Sequence, residues 1–477
     1  MLFNSIEFYL FFIISFSLYW TIFKKSTNGQ NWLILLGSYL FYGWWDWRFL
    51  FLIAFSSLLD YSVGKAINTT DNAKKRKGLL WISLGANLGL LAFFKYFNFF
   101  ADSFREAFAS LGVTIDDLTL NIILPVGISF YTFQTLSYTI DIYKKKIAPE
   151  KDPVKFFAFV SFFPQLVAGP IERASNLLPQ FKQHRKFDAK ESFGALQLII
   201  WGLFKKIVIA DNCALIVNEV FGDYHSFGGA ELAFGVILFA FQIYGDFSGY
   251  SDIAIGVAKL FGIKLMVNFR TPYFARDIAE FWRRWHISLS TWFRDYLYIP
   301  MGGSRGTKFL SVRNTLIVFL VSGFWHGANW TFLVWGGLHG LFFLPLLLTN
   351  RNRKNTSELP DTWSLQNLLS LPRMLLTFIL VCLAWVFFRA PSVGVGVDII
   401  ESLFTSTYSL HFIEFKHLMV GYLLAVLLVI DWLLRNDSKR FYTWSAPMSI
   451  AFVAVIIPHI VWFGVFGNPL EFIYFQF

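Results

Sequence analysis

The chain has 477 residues, 56% of them hydrophobic and 20% aromatic, with only 15% charged. Soluble domains carry about a quarter charged residues, so 58 Phe and 18 Trp argue against a water-soluble core. The formal charge of +10 comes with no RNA- or DNA-binding motif, which excludes nucleic acid as the expected partner; the cations cluster between apolar segments, as topology-setting loops do.

A helix needs roughly 20 apolar residues to cross the hydrocarbon core of a bilayer. Such stretches fall near residues 6–23, 31–45, 49–66, 79–97, 119–140, 193–212, 232–258, 309–325, 331–349, 374–390, 417–434 and 447–466. They predict an all-α polytopic integral membrane protein with about twelve crossings. We read one membrane domain over residues 1–477, with the chemistry-bearing motifs at about 119–345 and further C-terminal crossings at about 374–466. The first stretch lacks a basic start and a small-residue cleavage site, so it reads as a retained helix. Residues 155–170 are apolar but short and end in Gly169-Pro170, which suggests a re-entrant or interfacial segment. From Lys259 to Lys308, aromatics interleave with Arg270, Arg276, Arg283, Arg284 and Arg294, a pattern expected of short amphipathic helices at the cytoplasmic interface.

Basic residues fall in alternate loops: Lys24 and Lys25, Lys74 to Lys77, Lys144 to Lys146, Arg351 to Lys354, and Arg435 with Lys439 and Arg440. The intervening loops carry Asp116, Asp117, Glu219, Asp223 and Glu231. The positive-inside rule then predicts an outside N-terminus, and an even number of crossings puts the C-terminus outside too.

The two cysteines, Cys213 and Cys382, lie far apart in or beside apolar segments and suggest neither a disulfide framework nor a metal site. There is no metal-type Cys/His spacing, phosphate-binding Gly-rich loop or Gly-x-Ser-x-Gly elbow, so no bound cofactor is expected. Three of the eight histidines stand out: His286 in Phe281-Trp-Arg-Arg-Trp-His-Ile-Ser288, His326 between Trp325 and Gly327 with Asn329 close by, and His339 in Trp335-Gly-Gly-Leu-His-Gly340. An ionisable group at membrane depth is costly and usually faces a cavity or a partner. Imidazole, with an ordinary pKa of roughly 6.5, suits the activation of a hydroxyl. On position alone, packing against a neighbouring carbonyl is an equal alternative for His326 and the favoured one for His339. Asp246, Ser248, Tyr250 and Asp252, with Gln134 in an earlier segment, are polar groups in apolar surroundings; hydrogen bonding between helices is the commoner explanation, and lining a polar cavity is the other.

An ordered set of motifs runs along the chain: Phe41-Tyr-Gly-Trp-Trp45, Asn87 to Tyr96, Leu124 to Tyr143, Phe163 to Arg173, Gln242 to Gly256, Phe281 to Asp295, Tyr298 to Gly303, His326, Trp385 to Arg389 and Phe472 to Phe477. Together they resemble the membrane-bound O-acyltransferase (MBOAT) superfamily, most of all its branch around the membrane subunit of alginate O-acetyltransferase and related polysaccharide O-acetylation proteins. The resemblance implies a ring of tilted helices around a central tunnel. It implies that His326 is the general base and that His286 occupies a second polar position, which is Asn, Asp or His in different branches. Acetyl-CoA or an equivalent acyl donor would be the co-substrate. A periplasmic SGNH-type acetyltransferase and polysaccharide synthesis machinery would be partners, beside the lipid bilayer of the cytoplasmic (inner) membrane. In the implied reaction His326 takes a proton from the attacking hydroxyl, His286 orients or polarises the thioester carbonyl, and Arg283, Arg284 and Arg294 hold the donor's phosphates. The rivals are D-alanyl transfer to teichoic acid, within the same superfamily, and a transporter or flippase without catalysis. The absence of an internal sequence repeat argues against the latter.

Overall fold

In a computed structural model of the chain, residues 1–359, 364–409, 413–436, 440–467 and 472–473 are described, and their regular structure is entirely helical. They form two compact units, one of residues 1–192 with 257–266 and one of residues 193–256 with 267–477.

The first unit contains α1 (Ile6–Thr21), α2 (Thr27–Gly43), α3 (Leu50–Thr69), α4 (Ala73–Leu91), α5 (Ile128–Tyr143) and α6 (Pro153–Ser161). Ser5, Ser26 and Asn72 start α1, α2 and α4 by accepting backbone N–H groups on their side-chain oxygens, which satisfies donors that a helix start leaves orphaned. Buried Asp60 on α3 ties three helices together: it accepts from Ser83 and from Asn87 (2.9 Å) on α4, and from Thr139 (3.0 Å) on α5. Polar groups paired this way inside a helix cluster replace the water they have lost.

One predicted crossing is corrected here. The stretch 119–140 is not a continuous span: residues 113–125 have no regular structure, and α5 begins only at Ile128. Pro125 and Gly127, the latter at φ +77°, interrupt the chain. Leu118, Leu120 and Ile123 are exposed, whereas every residue from Ile128 to Thr139 is buried. With 16 residues, α5 is about 24 Å long, short of a hydrocarbon core of roughly 30 Å. The segment 155–170 is broken as expected, at Phe162 between α6 and a single turn Phe163–Leu166, and the break is buried within the unit.

The second unit takes in α7 (Ala189–Leu203) from residue 193, a π turn over Phe204–Ala210, α8 (Asp211–Gly222), and α9 (Gly229–Leu260) as far as residue 256. Two short helices follow, α10 (Ile278–Arg284) and α11 (Ile287–Phe293). Phe281, Trp285 and Leu289 on and between them are buried. Then come α12 (Lys308–His326), α13 (Trp330–Leu348), α14 (Leu365–Arg389), α15 (Phe415–Leu434) and α16 (Ala446–Phe463). Helices α12 and α13 pack backbone to backbone. A Cβ on Gly323 would lie 2.2 Å from the Phe332 carbonyl oxygen, and one on Gly336 2.4 Å from that of Phe319, so the close approach requires glycine on both sides.

Among the described residues nine helices are long and apolar enough to cross a membrane, and they cover nine of the twelve predicted stretches. The other three, near 6–23, 31–45 and 119–140, form helices of 16, 17 and 16 residues. Lys439 and residues 474–477 of the terminal motif lie outside the described residues.

Candidate active site

His326 is the last residue of α12, where the chain turns extended at Gly327. It is 2% exposed and is enclosed by Trp325, Trp335 and Phe388, with ring centres 5.0, 5.0 and 5.4 Å away. His286 is fully buried at the joint between α10 and α11. Its backbone is left-handed, φ 43° and ψ 54°, a conformation that His tolerates better than most side chains. The two rings come within 6.3 Å, centre to centre, although 40 residues separate them in the chain.

His286 is held by a residue that no sequence motif marks. Buried Asn268 accepts on Oδ1 from Ser288 Oγ at 2.9 Å and lies 3.0 Å from His286 Nδ1. The Asn268 carbonyl accepts from the N–H of Ile287 at 2.9 Å, and its Nδ2 donates to Ser251 on α9 at 3.2 Å. Phe247, also on α9, meets the ring edge-on at 4.7 Å. Burial lowers the imidazole pKa of His286 to about 3, because a dry site disfavours the charged form. The ring is therefore neutral at physiological pH.

A cavity of about 250 Å³ lies among α10, α11, α12 and α13. Its walls are apolar, with Trp282, Phe293 and Phe319, and Arg294 and Arg353 stand on its exposed side. Ser322 lines it as well and stands one helical turn before His326 on α12, so the space reaches to within a turn of that imidazole. Such a cavity, apolar with a few polar groups and next to a buried pair of proton-handling side chains, fits a small-molecule site.

The other sequence candidates divide by position. Arg294 borders the cavity and pairs with Asp295 at 2.7 Å. Arg283 instead donates to the carbonyls of Asn352 and Asn355, both at 2.9 Å, and Arg284 joins Arg276 on buried Glu280. Burial opposes the charge of Glu280, but the two guanidiniums outweigh it and hold the carboxyl below its ordinary pKa. Asp246 and Asp252 both form ion pairs, the first buried and the second partly exposed. Lys206 lies 2.8 Å from Asp246 and 2.9 Å from Asp211, and Lys205 is 2.6 Å from Asp252. Both lysines sit on the π turn, an irregularity that often marks functional regions. Asp246 also accepts the N–H of Ile473 at 2.6 Å. Tyr250 packs against Phe472 at 4.9 Å, and Ser248 is buried on the same helix. Asn329 caps α13 through Thr331 and donates to the Pro391 carbonyl. His339 stacks on Phe281, with edge contacts to Trp282 and Trp335 at 4.9 Å. Gln134 belongs to the other unit, where it donates to the Phe159 carbonyl at 2.8 Å.

A family model described as MBOAT, membrane-bound O-acyltransferase family, matches residues 149–384. The chain is 37% identical over 459 residues to a Pseudomonas aeruginosa protein named "Probable alginate O-acetylase AlgI", covering 94% of this chain and 85% of that one. It is 39% identical over 410 residues to a peptidoglycan O-acetyltransferase of Helicobacter pylori, covering 80% and 74%. A teichoic acid D-alanyltransferase of Streptococcus thermophilus is 31% identical over 229 residues, 45% of this chain and 55% of that one.

Proposed function

The chain belongs to the membrane-bound O-acyltransferase family, and from that premise we propose that this O-acyltransferase moves an acetyl group from a cytoplasmic thioester, acetyl-CoA or an equivalent donor, for O-acetylation of a polysaccharide beyond the inner membrane. The observation that carries the chemistry is the meeting of His286 and His326, ring centres 6.3 Å apart, with a cavity whose lining includes Ser322, one turn before His326 on α12. His326 takes the proton of the attacking hydroxyl as the new C–O bond forms and the C–S bond of the donor breaks; the proton then goes to the departing thiolate. The cavity receives the donor's acyl end, with Arg294 on its exposed side toward the donor's phosphates (Arg suits that geometry). The acetyl branch is favoured over D-alanyl transfer because the relatives named as O-acetylases match 94% and 80% of the chain, against 45% for the D-alanyltransferase. A periplasmic SGNH-type acetyltransferase completes the transfer to the polymer, and both chain termini face the periplasm.

The test is acetyl transfer from labelled acetyl-CoA in membranes carrying His326→Ala. The variant is expected to insert and express normally and to lose transfer by at least a hundredfold, the scale of a general base. A variant that acetylates at the normal rate would refute the role of His326.

A further inference from the structure

The bonds around Asn268 decide which nitrogen of His286 carries a proton. The amide oxygen and nitrogen of an Asn are told apart by their partners. The backbone N–H of Ser288 points at one of them, 3.3 Å away, and an N–H can only donate. That atom is therefore Oδ1. The same Oδ1 lies 3.0 Å from His286 Nδ1, so Nδ1 must be the protonated nitrogen of the neutral ring. Nε2, on the other edge, is left as a bare acceptor, buried and with no partner among the described residues. A neutral ring wired this way accepts a hydrogen bond and has no N–H left for a thioester carbonyl.

From this we infer that His286 is a positioning residue for His326: its bare Nε2 accepts an N–H from His326 when that ring becomes imidazolium, through one bridging water across the 6.3 Å between ring centres. Asn268 is the residue that keeps Nε2 bare. This rests on the reading of His326 as the base. The accepting lone pair favours the protonated form of His326, which the acid limb of the pH–rate profile reads. Trp325, Trp335 and Phe388 do not titrate. Arg389, next to Phe388 on α14, turns to Asn218 at 3.0 Å. On α9 beside Phe247, Asp246 is engaged by Lys206. His339 lies on Trp335, 4.9 Å from that ring.

Two variants and one spectrum test it on the full chain in membranes. In Asn268→Asp, the carboxylate still accepts from Nδ1–H and from the Ser288 N–H, so the acid limb of the pH–rate profile stays in place or moves up. In Asn268→Leu the lock is lost, and the limb is expected to move down by about one to two pH units, the worth of a hydrogen bond to a charged group, with a tenfold or greater fall in the plateau rate. A purely structural role for Asn268 would lower the rate without moving the limb. In histidine-selective ¹⁵N NMR of the wild-type protein, His286 should show a protonated Nδ1 and a bare Nε2. A protonated Nε2, or an unmoved limb in Asn268→Leu beside an inactive His326→Ala, overturns the inference alone. An active His326→Ala instead removes the reading beneath it.

Discussion

Glu172 is a fully buried carboxyl outside the predicted crossings, accepting from Asn176 at 2.7 Å and from the backbone N–H of Met266. Burial pushes its pKa up from 4.5 to about 7. Folding therefore favours the protonated form. The stability it contributes is complete below about pH 4.5, falls as pH rises, and is gone above the folded-state pKa near 7. Glu172→Gln keeps the neutral form at every pH, so its thermal stability should match wild type near pH 5 and exceed it at pH 8. A gap on the order of 3 kcal/mol is expected from the size of the shift; thermal midpoints in detergent that differ equally at both pH values would contradict this. At this scale the sequence was informative about His286 and His326, because each stands in an unusual aromatic and glycine-rich setting. It was silent on Asn268, a lone amide in Met266-Val-Asn-Phe269 that only the folded chain brings to the ring, 18 residues from His286. Nor did it reveal that Arg283 is taken up by the carbonyls of Asn352 and Asn355, some 70 residues further on.

The α12–α13 hairpin carries His326, Trp335 and His339, and its geometry depends on glycines at the crossing. A methyl on Gly323 would press into the backbone carbonyl of Phe332, which cannot move aside as a flexible side chain does. Gly323→Ala is accordingly expected to lower stability by about 1–3 kcal/mol, the usual cost of overpacking, and to reduce acetyl transfer, because α12 shifts with its terminal imidazole. Transfer activity and thermal midpoint in the same preparation check both effects. Helix α5 shows where element-level reading fails. Apolar length signals a span because lipid leaves no other option, yet Leu118 to Ile123 are apolar without being helical, and the Ser, Thr and Gln residues of α5 are buried against protein instead. Hydropathy does not distinguish those environments; Pro125 and Gly127 were the local clue.

At the scale of the whole molecule, charge is the readable quantity. Basic loops alternate with acidic ones along the chain, the pattern from which the positive-inside rule predicts an orientation. Single-cysteine variants test that orientation. Asp116→Cys should react with a membrane-impermeant maleimide on intact spheroplasts, and Lys75→Cys only after permeabilisation. Both positions are exposed, and the native Cys213 and Cys382 are buried, so background labelling is low. The reverse pattern would invert the expected topology. The family was legible from ordered motifs spread along the chain, and one of them, Phe281 to Asp295, supplies Trp282, Phe293 and Arg294 to the cavity, whereas the cavity residues of α12 and α13, such as Phe319 and Phe343, stand in ordinary apolar sequence.

The left-handed backbone at position 286 narrows the amino-acid alphabet available there before any chemistry is considered. Most L-residues lose roughly 1–2 kcal/mol in that conformation, while Asn, Asp and His bear it more easily. The family resemblance implies the same short menu for this position across branches. A redesign at position 286 thus has only a few replacements that leave the turn between α10 and α11 undisturbed.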